Sequence, residues 1–290
     1  MASSIKKYSF KPGFPIEIEM LSLPPQLIKD PCTLTKPHRT EFYHILWVKE
    51  GAPTHIIDFK PVKLQPGSLL FINKDKVHMF DKPTKYKGSM LLFTDSFFCK
   101  TEADKKFLRS TILFNNLLDI TAILLPKTQN ILVDTFKQIE SELLHPVDTF
   151  KHDVLQNLVH NLLLLADREK RMKGFVEIKK GADLDHTLSF KDLLDDHFKT
   201  LKSVNGYAQK LHVSEKRLNQ ATSKVLGKTP KELIDERVLL EAKRLLSHSS
   251  ESIKEISFDL GFEEPTNFIK YFKKHVTQTP VEFREYYNNK

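Results

Sequence analysis

Cysteine is nearly absent from this sequence: Cys32 and Cys99 are the only two among 290 residues. Two thiols supply neither a disulfide framework nor a metal knuckle, and they fit a reducing compartment. Long hydrophobic runs are missing as well. The greasiest stretch, residues 162–166, falls far short of the roughly 20 apolar residues that span a bilayer. The opening residues MASSIKKYSFKPG lack the apolar core of a secretory signal. These absences predict a soluble, cytoplasmic protein with no membrane partner. Tryptophan occurs once, as Trp47. Charge is abundant but weakly biased, with 45 Lys and Arg against 37 Asp and Glu, a net charge of +8. That sign suits an anionic partner such as nucleic acid. It is not focused: from Thr187 onward there are 18 basic and 15 acidic residues, net +3, which leaves +5 upstream. Charge alone therefore does not locate a binding surface.

What is present is a patterned C-terminal third. Residues 253–283 read IKEISFDLGFEEPTNFIKYFKKHVTQTPVEF. Ile256 and Leu260 sit four apart, as one face of a short helix requires. Gly261 supplies the stop, because glycine tolerates the left-handed conformation that ends helices. Phe268, Tyr271, Phe272 and Val276 then form a second apolar stripe at helical spacing. Two short helices joined by a glycine-containing turn make a helix-turn-helix, whose second helix can enter the DNA major groove. Its opposite face carries Thr266, Asn267, Lys270, Lys273 and Lys274, side chains suited to base edges and phosphates. A lysine-rich outer face is equally what any solvated amphipathic helix shows, so this stretch alone does not decide the matter.

An internal repeat does. Residues 207–233 read YAQKLHVSEKRLNQATSKVLGKTPKEL. Leu211 falls on Leu260, Val213 on Phe262, Leu218 on Phe268, and Lys228-Thr229-Pro230 on Gln278-Thr279-Pro280, with one inserted residue. Such self-similarity signals duplicated supersecondary units. Between them PKELIDERVLLEAKRLLS, with Leu233, Val238, Leu245 and Leu246, predicts one connecting helix, on the order of 27 Å long at 1.5 Å per residue. One turn of B-DNA is roughly 34 Å, so two recognition helices held this way can reach successive major-groove segments.

These residues carry a family resemblance. The stretch from LNQATSKVLGKTPKEL through TPVEFR closely resembles the C-terminal domain of the AraC/XylS transcriptional regulators. Its most specific pieces are A-K-x-L-L, I-x-E-I-S-x-x-L-G-F, and N-F-x-K-Y-F-K-K followed by T-P-x-x-F-R. Ser257 stands where the family usually has alanine, and Pro265 opens the second recognition helix, where a first-turn proline is tolerated. The resemblance is strong over about a third of the chain. It implies a sequence-specific DNA-binding transcriptional regulator with double-stranded DNA and RNA polymerase as partners. It also implies a nucleoid-associated location.

Within residues 10–94, short apolar stretches (EIEMLSL, EFYHILWVKEG, HIIDF, VKL, SLLFI, SMLLF) alternate with Pro, Gly, Asn or Asp, which argues for an antiparallel β-barrel or sandwich. LQPGSLLFINKDKVHMF, residues 64–80, resembles the second half of a cupin barrel as AraC-type regulators carry it. Pro66-Gly67 makes the turn, and His78 follows the turn at residues 73–76. A metal-dependent cupin enzyme with an accessory DNA-binding domain is the alternative reading. Metal-binding cupins pair two histidines and a carboxylate with a histidine at the His78 position. Here His38, Glu41, His44 and His55 show no His-x-His with a suitably spaced glutamate, so no metal, cofactor or enzymatic activity is expected. A small barrel can instead enclose a small-molecule effector, although some regulators of the type it resembles work without one. In EFYHILWV, Tyr43, Ile45 and Trp47 share one face, and Phe42, His44, Leu46 and Val48 the other. Tyr43, Trp47 and His78 are the pocket candidates, with the inward face left open; Trp47 is equally a core residue, and His44 and His78 are equally barrel histidines satisfied by their neighbours.

Residues 95–115 read as a helix or mobile segment. Residues 127–144 and 149–172 predict two antiparallel helices separated at His145-Pro146. On the second, Val159, Leu163 and Leu164 widen the apolar stripe beyond one contact, which favours a homodimer interface over burial of the extra width in its own domain. REKRMK and KKGADLDH then form a linker, and Ser189 is placed as the cap of the next helix, with Asp192 as its capping-box partner.

The expected architecture is therefore α+β and multidomain. A cupin-like barrel (residues 1–95) is followed by a helical dimerisation region (96–172), a linker (173–186) and an all-α domain with two helix-turn-helix motifs (187–290). The first recognition helix, about 214–226, offers Ser214 at its N-cap, Lys216, Arg217, Asn219 and Gln220 at base edges, and Lys224 at phosphate. The second, about 265–276, offers Thr266, Asn267 and Lys270 to the groove and Lys273 and Lys274 to phosphates.

Overall fold

In a computed structural model, the described residues are 5–10, 16–23, 35–80, 86–114, 120–125, 131–173 and 181–288. They divide into two compact units, one of residues 7–173 and the other of residues 181–288 together with Ile5 and Lys6. The central part of the expected linker and Cys32 lie outside the described residues.

Among its described residues, the N-terminal unit is built on two five-stranded sheets. Strands β1 (Lys6–Tyr8), β3 (His38–Thr40), β8 (His78–Phe80), β5 (Thr54–Ile57) and β6 (Lys60–Lys63) lie side by side in one. The other runs β10 (Thr121–Leu124), β7 (Ser68–Ile72), β4 (Tyr43–Glu50), β9 (Lys87–Phe93) and β2 (Ile18–Leu23). Of the barrel or sandwich expected from the sequence, the described residues form the two-sheet arrangement, with no closed barrel. Pro66-Gly67 makes the predicted turn, with Gly67 at φ +88° leading into β7. Strand β10 enters at the edge beside β7, where Thr121 opposes Phe71 and Leu124 opposes Ser68. The expected boundary at residue 95 therefore does not separate a sheet domain from a helical one.

Alternation along β4 decides its two faces. Leu46 and Val48 point between the sheets and meet Ile57, Leu70, Phe80, Met90 and Leu92. Tyr43 and Ile45 point the other way, into a core closed by helices. Those helices are α1 (Asp95–Phe98), α2 (Glu102–Ser110), α3 (Ile131–Leu144) and α4 (Lys151–Met172). Phe97, Phe98, Phe136, Ile139, Leu155, Val159, Leu162 and Leu163 are all buried there. At roughly 1.5–3 kcal/mol for each large apolar side chain removed from water, this second core is a principal source of stability. It also accounts for the broad stripe on α4. Val159 and Leu163 are fully buried within their own unit, and only Leu164 of the three remains exposed.

The C-terminal unit contains seven helices among its described residues: α5 (Ala182–His197), α6 (Val204–Lys210), α7 (Glu215–Leu226), α8 (Pro230–His248), α9 (Ile253–Asp259), α10 (Pro265–Val276) and α11 (Pro280–Asn288). Helix α5 starts at Ala182 with Gly181 as its N-cap, so Ser189 lies inside the helix rather than capping it. Asp183 and Asp185 in the first turn favour that start through the helix dipole. The connecting helix α8 opens with Pro230 and a capping box between Thr229 and Glu232, as the local sequence dictates.

Two polar contacts lock α8 into place. Arg237 pairs with Asp195 of α5 at 2.7 Å, and its guanidinium lies 3.7 Å from the Phe198 ring centroid. Arg284, at the end of the T-P-x-x-F-R motif, donates to the carbonyls of Leu246 and Glu251. Ser257 is fully buried and its Oγ has no hydrogen-bond partner among the described residues. An unsatisfied buried hydroxyl costs about 1–3 kcal/mol. Ser257→Ala is therefore expected to raise the urea midpoint of this unit, by about 1 kcal/mol in stability, with DNA binding retained.

Candidate nucleic-acid interface

The repeat recurs as backbone geometry. In the first copy, the Leu211 N–H donates to Tyr207 O, His212 to Gln209 O and Val213 to Ala208 O. In the second, Leu260 donates to Ile256 O, Gly261 to Phe258 O and Phe262 to Ser257 O. The turn residue has positive φ in both, +55° at His212 and +74° at Gly261. Glycine is required in the second, where a Cβ would stand 1.9 Å from the Lys199 carbonyl oxygen. Each recognition helix ends the same way, with Gly227 at φ +67° and Thr277 at +63°. A threonine cap and a proline at N1 then start α8 and α11, Thr229-Pro230 and Thr279-Pro280.

Core packing fixes which face each reader presents. On α7, Leu218, Ala221 and Thr222 are buried. Lys216, Asn219, Gln220 and Ser223 consequently form an exposed strip. On α10, Phe268 and Phe272 are fully buried, with ring contacts at 5.9 Å to each other and 5.5 Å from Phe272 to Phe283. Thr266, Asn267, Lys270, Lys273 and Lys274 are exposed. Pro265 occupies N1 of α10, and its N-cap Glu264 makes no side-chain cap bond. Tyr271 faces α8, where its hydroxyl donates to Asp235 at 2.9 Å, and burial pushes its pKa up.

Three of the expected contact residues on α7 are engaged within the protein. Ser214 Oγ accepts the Arg217 N–H at 3.1 Å, which is the N-cap bond. Arg217 and Lys224 both donate to Asp183 of α5, at 2.5 and 2.6 Å. Those two bonds, Lys224 first, hold the Asp183 carboxyl below the usual range. Sequence spacing placed Arg217 and Lys224 correctly on α7. It carried no information about a carboxylate arriving from another helix.

The three expected effector residues do not form one site. Tyr43 stacks on Phe93 at 5.1 Å and donates to Asp95, within the helix-covered core. Trp47 lies on that same side, 5.6 Å from Phe136, with Lys49 Nζ 4.7 Å from its ring. His78 is on the other sheet and points between the two sheets. Strand pairing brings it beside His38 and His55, and the facing sheet supplies His44 from β4, at ring-centroid distances of 4.4, 5.2 and 4.7 Å. All four are buried. His55 Nε2 and His78 Nδ1 share a hydrogen bond at 3.1 Å, and His38 Nδ1 bonds Lys36 O at 2.9 Å. Three of the other ring nitrogens, His44 Nδ1, His55 Nδ1 and His78 Nε2, have no hydrogen-bond partner among the described residues. Burial, reinforced by the neighbouring rings, lowers the pKa of His44 and His78 and takes His55 to about 3. No group of three or more His, Cys, Asp or Glu among the described residues is arranged to hold a metal ion. No described helix is long and apolar enough to cross a membrane.

A duplicated helix-turn-helix on a shared helix, preceded by a β-sandwich unit, defines a two-domain DNA-binding regulator. Comparison with known proteins identifies the family. Residues 29–144 match the AraC-like ligand binding domain, and residues 207–286 match a helix-turn-helix domain. The chain belongs to the AraC family of transcriptional regulators, with an N-terminal domain of the ligand-binding type and a C-terminal DNA-binding domain. Among its relatives is the HTH-type transcriptional activator RhaS of Escherichia fergusonii, 24% identical over 284 residues and covering 94% of both chains. RhaS of Citrobacter koseri is 23% identical over 262 residues, 86% of this chain and 87% of that one. Among solved structures, ToxT from Vibrio cholerae matches 92% of this chain and 98% of its own at 12% identity, with a TM-score of 0.46.

Proposed function

We propose that the C-terminal unit reads a bipartite DNA site with α7 and α10 in successive major-groove segments. The observation that carries this reading is the paired geometry: two turns with the same hydrogen-bond pattern, each presenting one exposed polar helix face. On α7, Lys216, Asn219 and Gln220 take the base edges. On α10, Thr266, Asn267 and Lys270 do so, and Lys273 and Lys274 meet phosphates. Asn and Gln pair with adenine and Lys with guanine. The N-terminal unit controls this activity through a small-molecule effector. The protein acts in the cytoplasm as a regulator rather than an enzyme, and it activates transcription through contact with RNA polymerase, in keeping with the activator relatives. It works as a homodimer. The exposed Leu144 at the end of α3, Val147 and Phe150 between α3 and α4, and Val154 on α4 supply apolar surface for that contact.

Selection of bound duplexes from a random library by the full-length protein tests the reading. Two half-sites about one helical turn apart are expected, and a repeated copy of the pair would come from the dimer. Failure to enrich any motif at moderate salt would overturn it. Asn219→Ala is expected to weaken binding to the selected site by roughly 1–3 kcal/mol and to relax preference at one base pair. Equal loss on selected and random DNA would remove Asn219 from the base-reading set.

A further inference from the structure

The exposed strip of α7 is bordered by two cations that share one carboxylate. Arg217 and Lys224 are seven residues apart, which puts them on one edge of the helix two turns apart. Asp183 Oδ1 accepts from Arg217 Nη1, and Asp183 Oδ2 from Lys224 Nζ. The Lys224 side chain is 75% exposed and that of Asp183 only 23%. Lys224 therefore reaches back along the surface to a carboxylate held by α5, where free rotation would leave its ammonium in solvent. Carboxylate and phosphate oxygens make the same charge-assisted contacts with Arg and Lys. We propose that Asp183 is a positioning residue for DNA reading: it stands in for a backbone phosphate against Arg217 and Lys224 and withholds both cations from the nucleic acid. This rests on the assignment of the α7 face to DNA.

The consequence concerns specificity. Phosphate contacts add affinity without sequence information, whereas base edges discriminate. Withholding two phosphate ligands beside Lys216, Asn219 and Gln220 leaves a larger share of the binding to those readers. Each neutralised phosphate steepens the dependence of log K on log salt by about 0.9. Releasing both cations adds about 1.8 to the slope, so affinity falls roughly tenfold further between 50 and 200 mM salt.

The test is a salt titration of the full-length protein on its selected site and on a random duplex. Asp183→Asn is expected to bind random DNA more tightly at 50 mM, with the steeper slope and a lower ratio of specific to random affinity. Asp183→Glu should keep the wild-type slope, and adding Arg217→Gln and Lys224→Gln to Asp183→Asn should abolish the gain. Lys224→Gln in the otherwise native chain reads the same point without touching α5, and its slope should equal that of wild type. A slope reduced by about 0.9 in Lys224→Gln would show that this lysine already contacts phosphate, and the proposal would be overturned. It would equally be overturned by an unchanged slope in Asp183→Asn, or by weaker binding of that variant to both DNAs with unaltered thermal unfolding. If the wild-type protein binds neither DNA, the assignment of the α7 face fails, and the role of Asp183 falls with it.

Discussion

Glu241→Ala is expected to destabilise the DNA-binding unit by about 3–5 kcal/mol, the usual consequence of removing one partner from a buried ion pair. Glu241 is 3% exposed and Arg244 2%. Glu241 Oε2 accepts from Arg244 at 2.9 Å and from Arg237 at 3.2 Å, and Arg237 continues to Asp195 on α5. Alanine removes the carboxylate but leaves the Arg244 guanidinium buried without it, so the desolvation cost persists while the attraction is gone. The loss should appear as a fall in Tm of more than about 10 °C for a unit of this size. DNA binding should fail at the same temperature, since α8 carries both readers. Glu241→Leu combined with Arg244→Met should recover most of the stability, because apolar replacements of a buried pair are close to neutral. Urea denaturation followed by far-UV circular dichroism measures both. A loss below about 1 kcal/mol for Glu241→Ala would mean that this network contributes no more than an exposed surface pair.

The readers were legible in the sequence because their determinants are local. Apolar residues at helical spacing, a positive-φ residue between helices, and a Thr-Pro start for the next helix all lie within one repeat. Each one is set by sterics or capping before tertiary structure intervenes. What was not legible depends on chain segments distant from one another. The start of α5 at Ala182 escaped notice because ADLDHT shows no apolar period and Gly181 offers no side-chain cap. The approach of Asp183 to Arg217 and Lys224 follows from that longer helix and from the packing of α5 on α7. In the sandwich, alternation along EFYHILWV separated the Tyr43 and His44 faces correctly. Only the arrival of α3 and α4 shows that helices cover the Tyr43 and Trp47 face. The four histidines looked scattered, since no spacing rule links residues 38, 44, 55 and 78. Sheet geometry does link them: His38 opposes His78 on β3 and β8, His55 stands two residues before Ile57, which opposes His78 on β5, and His44 comes from β4 of the facing sheet.

The same separation bears on how the two units are stabilised. The DNA-binding unit buries charge as an ion pair, Glu241 with Arg244. The sandwich instead buries titratable groups in their neutral form, so its stability depends on protonation at mildly acidic pH.

The N-terminal unit is expected to lose about 4 kcal/mol of stability per pH unit between about pH 6 and pH 4.5. Its His44, His55 and His78 are all held neutral by burial, with pKa values depressed from the ordinary 6.5. The unfolded chain takes up protons at these residues below pH 6.5, and the folded chain does not until far lower pH, about 3 at His55. Protonation therefore favours unfolding. The stabilisation is fully present above pH 6.5 and is lost as pH falls toward the folded pKa values. Each group contributes about 1.4 kcal/mol per pH unit in that window, and three together about 4. By pH 5 the integrated loss is about 6 kcal/mol, comparable to the 5–15 kcal/mol that holds a typical domain together. Carboxylates do not explain a transition in this range. Glu17, held low by its hydrogen bonds to Ser96 and Thr94, loses that stabilisation only below its ordinary value of 4.5. Trp47 is the only tryptophan and belongs to this unit, so its fluorescence reports the transition directly. His44→Phe removes one proton-uptake site and should cut the slope of stability against pH by about a third. A midpoint below pH 4 in the native chain, unchanged in His44→Phe, would show that the histidine cluster does not govern the acid stability of this unit.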